Sequence, residues 1–159
     1  MDKAYISREG HARLLAELDT LRRITRPRIV EEVSTAAAMG DRSENAEYIY
    51  GKKKLREIDR RTRWLEKRLE RMEVTDADAP RGTRVFFGAW VTVETAGKSR
   101  MVRIMGEDEV DLERGYISYR SPLGRALLKR EAGDAVVVPT PRGDLTYEVA
   151  DVQYGAAPP

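Results

Sequence analysis

Two carboxylates three positions apart, Asp41 and Glu44, stand in the stretch Met39-Gly40-Asp41-Arg42-Ser43-Glu44-Asn45-Ala46-Glu47-Tyr48. Residues at this spacing at a helix start project to one side, so the pair can offer oxygen ligands to one hard cation. Mg2+ commonly takes one or two protein carboxylates and completes its octahedron with water and phosphate oxygens. Two exposed acids alone would hold it weakly. A second macromolecule must bring the remaining ligands, which suits two-metal phosphodiester chemistry assembled between partners. The same residues also make good turn chemistry. Gly40 suits the end of one helix. Asp41 suits the N-cap of the next, with Glu44 placed as in a capping box, and both acids are favoured near a helix N-terminus. Spacing by itself favours the cap, and both readings stay open at this level.

Little else in the composition offers chemistry. The 159 residues contain no cysteine and a single histidine, His11. Disulfide and thiol chemistry are excluded, and zinc ligation or a Ser-His-Asp triad has little support. Ser118 and Ser121 have no nearby histidine, and no phosphate-binding glycine loop is present. Charged residues make up 35% and mean hydropathy is −0.58. With no bilayer-length apolar run and no signal-peptide pattern, the expectation is a soluble protein without a membrane partner; the missing cysteines fit a reducing cytoplasm, and a monomer is expected. The net charge of +2 hides a split. Residues 1–75 carry 18 Lys/Arg against 14 Asp/Glu, residues 76–159 carry 11 against 13, and residues 51–71 alone carry 10 against 4. Such asymmetry points to an anionic partner.

The elements that must position the acids are two long helices. Ser7 is a candidate N-cap, and Leu14, Leu18 and Leu21 continue through Thr25, Arg28, Glu32 and Thr35 at steps of three and four, with Pro27 a warning of a kink. After the acids, Tyr48, Gly51, Leu55, Ile58, Thr62, Leu65, Leu69 and Met72 form a heptad seam. Pairing 14 with 69, 18 with 65, 21 with 62, 25 with 58, 28 with 55 and 35 with 48 gives one shared midpoint, between residues 41 and 42. The two stripes therefore predict an antiparallel hairpin with the acids at its tip. Arms of about 30 residues reach roughly 45 Å. Such a rod suits a probe better than a catalytic pocket.

On the outward face of the second helix, Lys53, Arg56, Arg60, Arg63 and Lys67 make a basic line, with Lys54, Arg61 and Arg68 beside it. The line reads either as a solvated face or as a phosphate-tracking surface making non-specific, salt-sensitive contact with nucleic acid. Tyr48 and Tyr50 have the chemistry to stack on a base, although Tyr48 also fits the seam. Residues 76–82 read as a linker. Residues 83–159 read as a small α+β domain: strands over Val85–Val93, Arg100–Ile104, Tyr116–Tyr119, Ala135–Pro139 and Leu145–Val152, a helix opened by Ser121-Pro122 and running through Arg130, and a loose tail over Gly155–Pro159.

The segment Gly40–Tyr48, followed by Lys52-Lys53-Lys54-Leu55-Arg56-Glu57-Ile58-Asp59-Arg60-Arg61, resembles the bacterial Gre transcript-cleavage (transcription elongation) factors. Val85–Val91 and Ile117–Leu128 look like their C-terminal domain. Arg42, the dense basic run and Phe86-Phe87-Gly88-Ala89-Trp90 look more like the GreB branch than the GreA branch. The resemblance implies an N-terminal antiparallel coiled coil (1–75), a linker (76–82) and an FKBP-like polymerase-docking domain (83–159). It implies an accessory factor, not itself an enzyme, whose hairpin enters the secondary channel of RNA polymerase and stimulates hydrolysis of the RNA 3′ end in backtracked complexes. Asp41 and Glu44 would be the catalytic acids that share Mg2+ with the polymerase, and Ser43 and Asn45 would support the tip. Lys52, Lys53, Arg56, Arg60 and Arg61 would contact the nascent RNA, and Ser121 and Pro122 would lie in the docking segment. The alternative is a channel-occupying module that inhibits the polymerase without cleavage. A prolyl isomerase activity of the second domain is a further rival.

Overall fold

The computed structural model describes residues 3–41 and 44–158. Contacts divide the chain into two units, His11–Arg71 and Met1–Gly10 with Met72–Pro159. The class is α+β, as expected.

The outgoing arm of the first unit runs through α1 (Arg8–Thr20), a π-helical turn (Leu21–Thr25) and α2 (Arg26–Ala37), and α3 (Ala46–Glu70) returns antiparallel. The seam positions Tyr48, Gly51, Leu55, Ile58, Thr62, Leu65 and Leu69 are buried or half-buried, whereas Met72, expected to close the seam, lies beyond α3 in a strand. On the outgoing arm Leu14 and Leu18 are buried as expected, but Arg28, Glu32 and Thr35 face solvent, and Ile29, Val33 and Ala36 turn inward instead. The one-residue slip follows from the π turn, in which the Arg26 N–H reaches back to the Leu21 carbonyl and the helix takes up one extra residue. Pro27 lies in the first turn of α2. It lacks an N–H, and its ring crowds the carbonyl four residues back. The wider turn before it accommodates both, so the proline's effect is expressed as a change of register.

Gly51 shows what the slip does at the seam. A Cβ at this position would lie 2.5 Å from Val33 Cγ2. The arms therefore meet closely, and Val33 cannot move aside cheaply because a β-branched side chain keeps one helical rotamer. Alanine at position 51 should gain about 1 kcal/mol of helix propensity but lose roughly 1–3 kcal/mol to overpacking. We expect Gly51→Ala to lower the hairpin's stability and the double variant Gly51→Ala/Val33→Ala to recover it. Denaturant unfolding of the four proteins of that cycle measures the coupling, and additive effects would refute the contact. Arg26–Asp59 at 2.8 Å, Arg22–Glu66, and Arg61 bidentate to Glu17 at 2.6 and 2.9 Å tie the arms along the rim. Each such exposed pair contributes about 0–1 kcal/mol, so they serve register more than stability.

In the second unit a parallel pair, β1 (Ala4–Ile6) and β2 (Met72–Val74), brings the start of the chain beside residues 72–74. The remaining strands are β3 (Trp90–Thr95), β4 (Lys98–Met105), β5 (Tyr116–Ser118), β6 (Ala135–Thr140) and β7 (Gly143–Gln153). They form one five-stranded sheet in the order β5-β4-β3-β7-β6. Neighbours are antiparallel except β4 and β5. The helix α4 (Pro122–Leu127) packs on it, and Val85, Val91, Val93, Ile104, Leu127 and Val149 form its core.

Several boundaries differ from the sequence expectations. Residues 1–10 and 72–75 cluster with the second unit rather than the hairpin, because β1 and β2 pair with each other. Residues 76–82 have linker composition, yet the buried Arg103 donates to the Ala77 carbonyl and to Asp78 Oδ1 and draws that segment in. The first sheet strand begins at Trp90, not Val85. Gly88 turns with φ +91°, and a Cβ there would meet the Ala77 carbonyl at 2.1 Å. The helix α4 stops at Leu127 because Leu128 is extended and Lys129 has φ +70°. The expected loose tail is held at its start, where the Trp90 Nε1–H donates to the Gly155 carbonyl at 3.2 Å.

Candidate functional site

The outgoing arm ends where Ala38 caps α2, its N–H donating to the Ser34 carbonyl at 3.2 Å. Gly40 follows with φ +146°, a conformation that favours glycine. Asp41 and Glu44 are both exposed, and the Glu44 N–H donates to the Asp41 carbonyl at 3.3 Å. Arg42 and Ser43 lie outside the described residues.

The capping role falls to Asn45. Its Oδ1 accepts from the Tyr48 N–H at 3.1 Å, and its backbone is extended, as an N-cap requires. Its Nδ2 donates to the Ala36 carbonyl at 2.6 Å, across the tip to the end of α2. Only the amide's NH2 can face a carbonyl, so the orientation is dictated by chemistry. One side chain thus caps the returning helix and clamps it to the outgoing one. This overturns the capping-box reading: the N-cap of α3 is Asn45, not Asp41, and Asn45, read only as tip support, does two structural jobs. The signal for it was present, because Asn ranks with Asp and Ser as an N-cap. The cross-tip bond could not be read from sequence. Among the described residues no three His, Cys, Asp or Glu side chains gather around a common point.

Behind the tip, Lys52, Lys53, Arg56 and Arg60 are exposed and form no ion pair among the described residues. Arg61 is different. It holds Glu17, whose carboxyl is lowered from its usual range by that hydrogen bond and charge despite some burial, and its guanidinium lies 4.6 Å from the Trp64 ring centre. Tyr48 is half-buried in the seam, whereas Tyr50 is exposed. In the second unit, Ser121 is the N-cap of α4. Its Oγ accepts from the Gly124 N–H at 3.1 Å and donates to the Ser118 carbonyl at 2.6 Å. Pro122 follows at the helix start and is exposed.

Comparison with known proteins matches residues 4–74 to "Transcription elongation factor, N-terminal" and residues 80–154 to "Transcription elongation factor, GreA/GreB, C-term". The chain is 51% identical over 156 residues to transcription elongation factor GreB of Pseudomonas putida, covering 98% of this chain and 96% of that protein. It is 52% identical over 151 residues to GreB of Yersinia pestis, covering 94% and 88%. Among solved structures, GreA factor homolog 1 of Thermus thermophilus aligns over 95% of this chain and 99% of that one, at 21% identity and a TM-score of 0.43. With both halves of the chain matched in order, and relatives half identical over nearly its whole length, the protein belongs to the GreA/GreB family of transcription elongation factors.

Proposed function

We propose that this protein enters the secondary channel of bacterial RNA polymerase with its hairpin and stimulates Mg2+-dependent cleavage of the RNA 3′ end in backtracked or arrested complexes. The observation that carries the proposal is the division of labour at the tip. Asn45 caps the returning helix and bonds across to the end of the outgoing one, and the two acids stand exposed beside it. Asp41 and Glu44 contribute carboxylate oxygens to an ion whose other ligands belong to the polymerase and the RNA. That ion, when bound, lowers the pKa of an attacking water and neutralises charge at the scissile phosphate. The protein has no nuclease activity of its own in this reading. Ser121 and Pro122 belong to the segment that meets the polymerase.

The test is a polymerase complex halted in a backtracked state. Added protein should release 3′ fragments in a Mg2+-dependent way and restore extension. Occupation of the channel with slowed extension and no fragments would overturn the reading in favour of the inhibitory one.

Lys52, Lys53, Arg56 and Arg60 are the cations placed to meet the displaced RNA. Changing Lys53, Arg56 and Arg60 together to Gln should weaken crosslinking of the extruded RNA to the hairpin. It should also flatten the salt dependence of that contact by roughly 2 logarithmic units of slope, at about 0.7 per phosphate lost. An unchanged slope would remove these residues from the RNA path.

A further inference from the structure

Beside the line of Lys53, Arg56 and Arg60, α3 carries a second line with different chemistry. Tyr50 and Trp64 occupy the same heptad position two heptads apart, which places them on one face about 21 Å from each other. Both rings point outward: Tyr50 is 64% exposed and Trp64 42%. Each is accompanied by cations one turn away. The Lys54 ammonium lies 5.7 Å from the Tyr50 ring centre. The Arg61 and Arg68 guanidinium groups lie 4.6 and 5.6 Å from the Trp64 ring centre. Arg61 and Arg68 cover part of the indole, and the 42% that stays exposed leaves apolar ring surface for a further stacking partner. Arg61 is itself held by Glu17, so it fixes the ring's setting as well as its charge environment.

We infer that Trp64, with Tyr50 as a lesser second platform, is a base-stacking subsite for single-stranded nucleic acid. Aromatic faces accept any base, and the exposed Arg60 and Lys67, one turn to either side of Trp64, are the cations that meet the phosphates. The excess of 10 basic over 4 acidic residues across positions 51–71 is the charge complement of a polyanionic strand. Glu57, on the same line between the two rings, breaks the face into two platforms. The inference deepens the reading of the basic stripe: the stripe supplies charge, and Trp64 supplies contact with the base itself. It rests on the proposal that α3 meets nucleic acid, but its test needs neither polymerase nor cleavage.

The chain has two tryptophans, and the other, Trp90, is only 8% exposed in the second unit. Intrinsic fluorescence therefore reports mainly on Trp64 when ligand is added. At low salt, a short single-stranded RNA should quench the emission of the full-length protein. Single-stranded DNA should do so comparably, because a stacked base does not read the sugar. Heparin, a polyanion without bases, should not. Trp64→Leu should abolish the quenching and weaken binding of fluorescently labelled RNA about ten-fold, whereas Trp64→Tyr should keep most of the affinity. Circular dichroism checks that the variants keep the hairpin. Three results overturn the inference: equal quenching by heparin, RNA binding that Trp64→Leu leaves unchanged, or no RNA binding at low salt. Cleavage stimulation lost with this subsite intact would count against the proposed function alone.

Discussion

Asp41→Asn and Glu44→Gln should each lower stimulated RNA cleavage by roughly 100-fold or more, while competition for the polymerase stays near the parent level. The isosteric amides keep the size and hydrogen-bonding reach of the side chains but remove the negative oxygen that a hard cation prefers. A hundred-fold loss corresponds to about 2.7 kcal/mol of transition-state stabilisation, a reasonable weight for a ligand shared with a second macromolecule. The N-cap of α3 is Asn45, and the amides keep the hydrogen-bonding reach of the acids, so in both variants the hairpin should stay folded. Raising Mg2+ should recover part of the activity if the defect is weak ion capture, and Mn2+ should recover more. Full cleavage by the double variant would end the metal assignment. A variant that loses cleavage, binding and hairpin stability together would instead return the acids to a structural role.

Asn45 should show a sharper and less intuitive pattern. Asn45→Ala removes the bond to the Tyr48 N–H and the bond to the Ala36 carbonyl. An N-cap contributes about 1 kcal/mol. The Ala36 carbonyl keeps its bond from the Met39 N–H at 3.1 Å, so its loss is partial. Together these should cost about 1–2 kcal/mol, or roughly 5–10 °C in the melting of a unit this small. Asn45→Asp separates the two bonds. Asp caps helices as well as Asn does, but it turns a negative oxygen toward the Ala36 carbonyl in place of a donor. The Asn45→Asp variant should therefore be no more stable than Asn45→Ala, against the ranking of caps. Both should raise the Mg2+ concentration needed for stimulated cleavage about ten-fold, because a tip free to open no longer holds Asp41 and Glu44 at one separation. An Asn45→Asp variant indistinguishable from the parent in melting and in Mg2+ requirement would show that the cross-tip bond contributes nothing.

Much of the hairpin was legible in the residues. The α3 seam follows from the sequence from Tyr48 to Leu69, because a heptad repeat is a local, periodic signal that burial must obey, whereas Met72, the last position of the stripe, lies in β2. The outgoing arm was read correctly only as far as the π turn. Arg28, Glu32 and Thr35 continue the rhythm of Leu14, Leu18 and Leu21, but a helix that takes up one extra residue rotates everything beyond it by about one position. The inward-facing Ile29, Val33 and Ala36 are the more apolar set, and that preference was the available clue. In the second unit the turn at Ala96-Gly97 and the strand pairs around it follow from local chemistry, with φ +50° and +74° at the two turn residues. The β1–β2 pair joins segments far apart in the chain through three residues each, too little pattern to see in advance.

Residue type and periodicity were enough for the class of fold, the hairpin with its tip near residues 41 and 42, the acidic pair, the basic stripe and the likeness to the Gre factors. All of these are carried by short segments read along the chain. The assignment of roles at the tip needed the packed molecule. Asp41 and Asn45 are equally good caps in isolation, and the choice between them depends on where the Ala36 carbonyl lies when the outgoing arm ends. That position depends in turn on the register set by the π turn earlier in the same arm. Asn45 can donate to that carbonyl and a carboxylate cannot, so the amide takes the structural position and the acids remain at the surface.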